Sequence, residues 1–212
     1  EPYADGLILR LPGREHPTVL PQRLNYPKLM GVLQTYGRWL SILGLESMGA
    51  LNEVVGSERM REVVLVSEAL HEKQISDIAD AILRHKPSVR LVLIAGPSSS
   101  GKTTFARRLA IQLRVNGLRP YALGLDDYFV DRERTPRDAE GDYDFEALEA
   151  IDLDLFGQQL SDLMAGQAVP LAHYDFQSGQ SQRGAPVQLS QDTVIVIEGI
   201  HGLNPRLIAA LP

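Results

Sequence analysis

Cysteine is absent from the 212 residues. No disulfide framework, thiolate metal site or thiol nucleophile is therefore available to this chain, and a reducing compartment is expected. Long hydrophobic runs are also missing: the longest, "LVLIA" and "VIVI", are strand-sized and far short of the roughly 20 residues a bilayer-spanning helix needs. There is no surplus of positive charge. Lys and Arg number 21 against 27 Asp and Glu, a formal net charge of -6. This balance argues against a broad nucleic-acid-binding face and leaves room only for a local basic patch. The opening "EPYADG" lacks the basic segment and apolar segment of a signal peptide. The expectation is a cytoplasmic protein without a membrane partner, and the missing initiator Met suggests a fragment. Aromatic residues are few, at 6%, and Tyr36 and Trp39 suit a helix core better than a base-stacking platform.

What is present divides into two textures. The first 27 residues carry Pro2, Pro12, Pro17, Pro21 and Pro27 and read as extended or looped. Leu29, Met30, Val32, Leu33, Tyr36, Trp39, Leu40 and Leu43 recur at helical spacing. A second helix is expected through "SEALHEKQISDIADAILRH", with Leu70, Ile75, Ile78, Ile82 and Leu83 as its stripe and Pro87 as its stop. A boundary is placed there: residues 1–86 form a helical N-terminal module and residues 87–212 a second domain. From Arg90 the order becomes strand, loop, helix, strand. "RLVLIA", "YALGL" and "TVIVIEGI" are short apolar runs of the kind buried parallel strands show. Helices are expected at 102–115 and at 153–164, the latter burying Leu155, Phe156, Leu160 and Leu163. The fold class is α/β, a parallel sheet flanked by helices of the phosphate-loop NTPase type.

"GPSSSGKT" at Gly96–Thr103 matches G-x-x-x-x-G-K-[ST] at every fixed position, between a strand and a helix as that motif requires. Gly96 and Gly101 let the backbone turn where a side chain would clash. Pro97, Ser98, Ser99, Ser100 and Thr104 complete the candidate nucleotide-binding stretch. The loop N–H groups and the helix N-terminus favour an anion. Lys102 supplies a point charge for the β- and γ-phosphates, and the Thr103 hydroxyl suits Mg²⁺. ATP and Mg²⁺ are thus the expected cofactors.

"GLDDYF" places Asp126 and Asp127 beyond one strand end, and "VIVIEG" places Glu198 beyond another. Ligands of open α/β sheets bind outside the carboxyl ends of strands. Two carboxylate positions and Thr103 can converge on one Mg²⁺, which demands oxygen ligands, and one aspartate can accept a proton from an attacking hydroxyl. Asp126 reads equally well as a turn or cap residue.

The series GPSSSGKTT, LDDYF, YDFEALEAID, HYDF and IVIEGIHGLNP resembles the uridine kinase and phosphoribulokinase family over about residues 90–212. The resemblance implies an ATP-dependent small-molecule kinase, with a nucleoside as acceptor. It implies Asp127 as general base and metal-shell residue, Lys102 as the other catalytic group, and Thr103 and Glu198 beside the metal. For the acceptor it implies Glu146, or the neighbouring Asp144, at the ribose hydroxyls, and Tyr174 bordering the base. Asp126 and Tyr128 complete that candidate set. Where the family has a base-reading histidine, this chain has Gly179. The family continues past this point into an arginine-bearing lid. Residues 1–86 resemble the region preceding the kinase in a bacterial subgroup whose N-terminal half is similar to part of threonyl-tRNA synthetase. A homo-oligomer is expected.

Other features are secondary. "DRERTPRDAEGDYD" reads as a solvated loop, or as a flap in which Arg132, Arg134 or Arg137 meets an anionic acceptor such as a sugar phosphate. "DAEG" matches the D-x-x-G of GTPases, but it sits in a polar loop and no N-K-x-D accompanies it. The five histidines show no metal spacing. A further reading is an ATP-binding regulator whose N-terminal module contacts RNA or a protein.

Overall fold

The computed structural model describes residues 2–3, 6–22, 27–86 and 88–212. Pro87, the expected helix stop, and part of the proline-rich start lie outside these. Packing divides the chain into one unit up to Ser67 and another from Glu68 to Pro212. The division falls inside a helix, ahead of the 86/87 boundary that the change in texture suggested. Burial explains the difference, because Ile75, Ala79 and Ile82 lie in one core cluster with Ala106, Leu109 and Leu113 of the phosphate-loop helix.

The first unit holds a short antiparallel ribbon, β1 (Pro2–Tyr3) with β2 (Gly6–Leu7). The helices α1 (Pro27–Leu43) and α2 (Met48–Val55) follow. Ser47 starts α2 by accepting the Ala50 N–H at 3.2 Å, as N-cap serines do. The apolar stripe expected to be buried along α1 is only partly so. Met30, Trp39, Leu40 and Leu43 are half-buried, whereas Leu29, Val32, Leu33 and Tyr36 are exposed. Helical periodicity marks an apolar face without saying what covers it.

The helix α3 (Arg59–Arg84) leads into the second unit. There follow β3 (Leu91–Ile94), α4 (Lys102–Val115), β4 (Arg119–Gly124), α5 (Leu153–Met164), β5 (Ala168–Asp175), β6 (Gln180–Gln188), β7 (Thr193–Glu198) and α6 (Pro205–Ala209). The main sheet runs β3-β7-β4, all parallel. Its central strand β7 is apolar from Val194 to Ile197 and buried on both faces there, the mark of an interior parallel strand. Alternation divides its side chains between two cores. Val194 and Val196 pack with α3 and α4, and Ile195 and Ile197 with Phe156 and Leu160 of α5. Below them β5 and β6 form a separate antiparallel hairpin. The sequence reading did not anticipate that hairpin.

Register matters most for the site. Ile94 pairs with Glu198, and Glu198 with Gly124. The three parallel strands therefore end level with one another, and the segments that leave them start from one edge.

Candidate active site

The phosphate loop leaves β3 at that edge. Ser99 holds a left-handed φ of 57°, the only described non-glycine residue to do so, and such strain gathers at ligand-binding turns. Gly101 precedes α4 with φ 88° and offers no side-chain cap. The first N–H groups of α4 are thus left for an anion. The Lys102 ammonium donates to the Pro97 carbonyl at 2.8 Å, which folds its charge back over the loop. Beside the loop lies a cleft of about 480 Å³ lined by Ser100, Gly101, Lys102 and Thr104, and further out by His71, Phe105 and Arg108.

The acidic groups stand next to the loop. The Thr103 hydroxyl donates to Glu198 Oε1 at 2.7 Å, so the two oxygen donors expected at a metal already meet. Asp126 and Asp127 occupy a single 3-10 turn, Leu125–Tyr128, directly after β4. Their carboxylates face different partners. Asp126 is exposed as a residue, yet its carboxyl is pushed above the usual aspartate range by the protein mass around the strand ends. Glu198 and Asp127 add to the rise, and Lys102 opposes it. Asp126 thus shares the field of the phosphate-loop lysine and the β7 glutamate. Asp127 instead accepts from His173 Nδ1 on β5 at 2.9 Å. Burial first, and then the Asp127 charge, push the Tyr128 and Tyr121 phenols up.

The expected acceptor residues are placed less uniformly. Tyr128 and Tyr174 are core side chains, 0% and 1% exposed. Tyr128 packs edge-on against Phe156, and Tyr174 against Phe129 and Phe176. Both rings therefore underlie the site rather than line an open surface, although neither hydroxyl finds a hydrogen-bond partner. Arg137 is engaged locally, donating to the Gly141 carbonyl at 2.6 Å with its guanidinium 4.2 Å over the Tyr143 ring. Asp144 accepts the N–H groups of Glu146 and Ala147 at 2.9 and 3.0 Å, so it caps its own turn. Glu146 is exposed, and its backbone carbonyl accepts from His201 Nε2 at 2.9 Å. That bond ties its loop to the segment after β7.

Gly179 has a physical reason of its own. It sits in the β5–β6 turn at φ 72°. A Cβ there would stand 2.8 Å from the Arg132 guanidinium carbon and 2.9 Å from Arg132 Cβ. Arg132 is fixed in that position, donating its N–H to the Gly179 carbonyl at 2.8 Å and Nη2 to the Phe176 carbonyl at 2.6 Å. Gly179→Ala is expected to cost about 1–2 kcal/mol from the left-handed backbone alone, a fall in Tm of about 2–8 °C for a domain of this size. Calorimetry checks this, and Arg132→Ala in the same background should recover only the part due to the contact.

Comparison with known proteins decides the family. The profile described as the phosphoribulokinase / uridine kinase family matches residues 91–212, more than half of the chain. The chain belongs to that family. The uridine kinase of Schizosaccharomyces pombe is 34% identical over 125 residues, 58% of this chain and 27% of that protein. The uridine kinase of Chloroflexus aurantiacus is 34% identical over 114 residues, 52% of this chain and 51% of that one. This chain thus spans about half the length, or less, of these two curated relatives. A solved structure described as a possible uridine kinase from Bacillus stearothermophilus superposes with a TM-score of 0.54 at 28% identity, covering 66% of this chain and 76% of that one. Within the phosphoribulokinase / uridine kinase family match fall the loop, Asp126, Asp127 and Glu198. His71, on the rim of the cleft, lies outside it.

Proposed function

We propose that the protein moves the γ-phosphoryl group of ATP onto a hydroxyl of a small molecule, and that the acceptor is a nucleoside taken at its 5′-hydroxyl. One observation carries the reading. The level strand ends bring the phosphate loop, the Thr103–Glu198 pair and the Asp126–Asp127 turn to one edge of the sheet. In the reaction the acceptor oxygen forms a bond to the γ-phosphorus as the bond to the β-phosphate oxygen breaks, and ADP leaves. The acceptor proton passes to the Asp127 carboxylate. Lys102 and the loop amides stabilise the charge that shifts onto the phosphate oxygens.

The donor set suits Mg²⁺. Thr103 and Glu198 supply hard oxygen ligands already in contact. No group of three or more His, Cys, Asp or Glu side chains forms a self-sufficient metal cage among the described residues. Mg²⁺ bound with nucleotide takes one or two protein oxygens and draws the rest from phosphate and water. Thr103 and Glu198 would hold it, with Asp127 or Asp126 in its outer shell, and it would neutralise phosphate charge.

The engagement of Arg137 with Gly141 and Tyr143 removes one group on which a sugar-phosphate acceptor would depend, which favours the nucleoside. Nucleosides, sugars and pantothenate, offered to the full-length protein and followed by ADP release, test the reading. Turnover of a nucleoside is expected. Turnover only of a non-nucleoside removes the nucleoside claim, and ATP binding without any turnover favours a regulator.

A further inference from the structure

His173 was not singled out by its sequence context. It stands on β5 in the stretch "LAHYD". A register shift between Pro170 and Ala172 precedes it, after which Tyr174 turns into the core and His173 faces out. There its Nδ1 meets Asp127 Oδ1 at 2.9 Å. The two side chains are 63% and 42% exposed, so the pair contributes little to stability. Its geometry has a different consequence. The terminal torsion of an aspartate is broad and close to two-fold, so a carboxylate on a short exposed turn rotates unless something holds it.

We propose that His173 is a positioning residue for the acceptor-activating carboxylate, a role that rests on the reading of Asp127 as base. An ionised carboxylate only accepts hydrogen bonds, so the imidazole must carry its proton on Nδ1. That N–H holds Oδ1 and fixes the plane of the carboxylate. Oδ2 lies beside Gly124 at the end of β4, within van der Waals distance of where a Cβ on that glycine would stand. With Oδ1 engaged by His173, Oδ2 is the oxygen that takes the acceptor proton. His173 touches neither the acceptor nor the phosphates; it determines which oxygen is presented and in which direction. Partners that orient functional carboxylates and histidines are typically worth 10–100-fold.

The experiment compares His173→Ala, His173→Asn and His173→Gln with Asp127→Asn in the full-length protein. His173→Ala should lower kcat about ten-fold with the KM for donor and acceptor unchanged. The asparagine amide reaches the place of Nδ1 and should restore most of the loss, whereas the glutamine amide reaches the place of Nε2 and should not. Nitrogen NMR of the ring, which needs no turnover, should show the Nδ1–H tautomer in the wild type and its loss in Asp127→Ala, which leaves no acceptor for that N–H. A wild-type kcat in His173→Ala alongside an inactive Asp127→Asn overturns the proposal, as does a ring protonated on Nε2 alone. Full turnover in Asp127→Asn overturns the base reading itself, which is a distinct result.

Discussion

Asp127→Asn is expected to lower turnover on the order of 10³-fold while leaving nucleotide affinity within about two-fold, since general-base assistance contributes 10²–10⁴. The substitution keeps the shape of the side chain and an oxygen for the His173 N–H. What it removes is a group able to take up the acceptor proton. Asp127 is engaged by His173 on β5, and Lys102 by the Pro97 carbonyl, so the phosphate loop should bind its ligand as before. Steady-state ADP release and calorimetric titration with nucleotide separate the two quantities. Activity within ten-fold of wild type would transfer the base role to Asp126.

Lys102→Ala is expected to fail at the other end of the reaction, losing both donor affinity and turnover, each by about 10²–10³. The Lys102 charge is held over the loop by the Pro97 carbonyl, so its position does not have to be found when the nucleotide arrives. The residue is half-buried at the start of α4 and lies outside both core clusters. The melting temperature without ligand should therefore move by little, and the shift on adding nucleotide should largely vanish. Normal turnover in this variant would refute the nucleotide-site assignment.

How much of this was legible in the sequence depended on the range of the interaction. The phosphate loop is local, and its glycines, lysine and threonine speak for themselves. β7 was legible because four consecutive apolar residues, Val194 to Ile197, admit few alternatives. Asp126, Asp127 and Glu198 followed from the rule that parallel strands present ligands at their carboxyl ends. The β5–β6 hairpin was not legible. All but two residues of β6 are exposed, so no apolar alternation announces it. The His173–Asp127 contact depends on a register shift in β5, and one residue of slip reverses which side chains face out. Tyr174 shows the same effect from the inside. Its segment was recognised, but only packing shows that its ring joins an aromatic core with Phe129 and Phe145.

The contact between Arg132 and Gly179 also restricts how this site can diversify. A descendant that acquired any side chain at 179 would first meet the Arg132 stem and guanidinium, and that single step loses stability. Shortening residue 132 first opens the space, at the cost only of the Phe176 carbonyl's donor. The two positions are therefore epistatic, and the order of substitution is set by sterics rather than by chance. A ring-bearing residue at 179 should be tolerated better once Arg132 has been shortened, although the left-handed backbone there still opposes it. Libraries that vary the two codons together should recover combinations that stepwise scanning of position 179 never reaches.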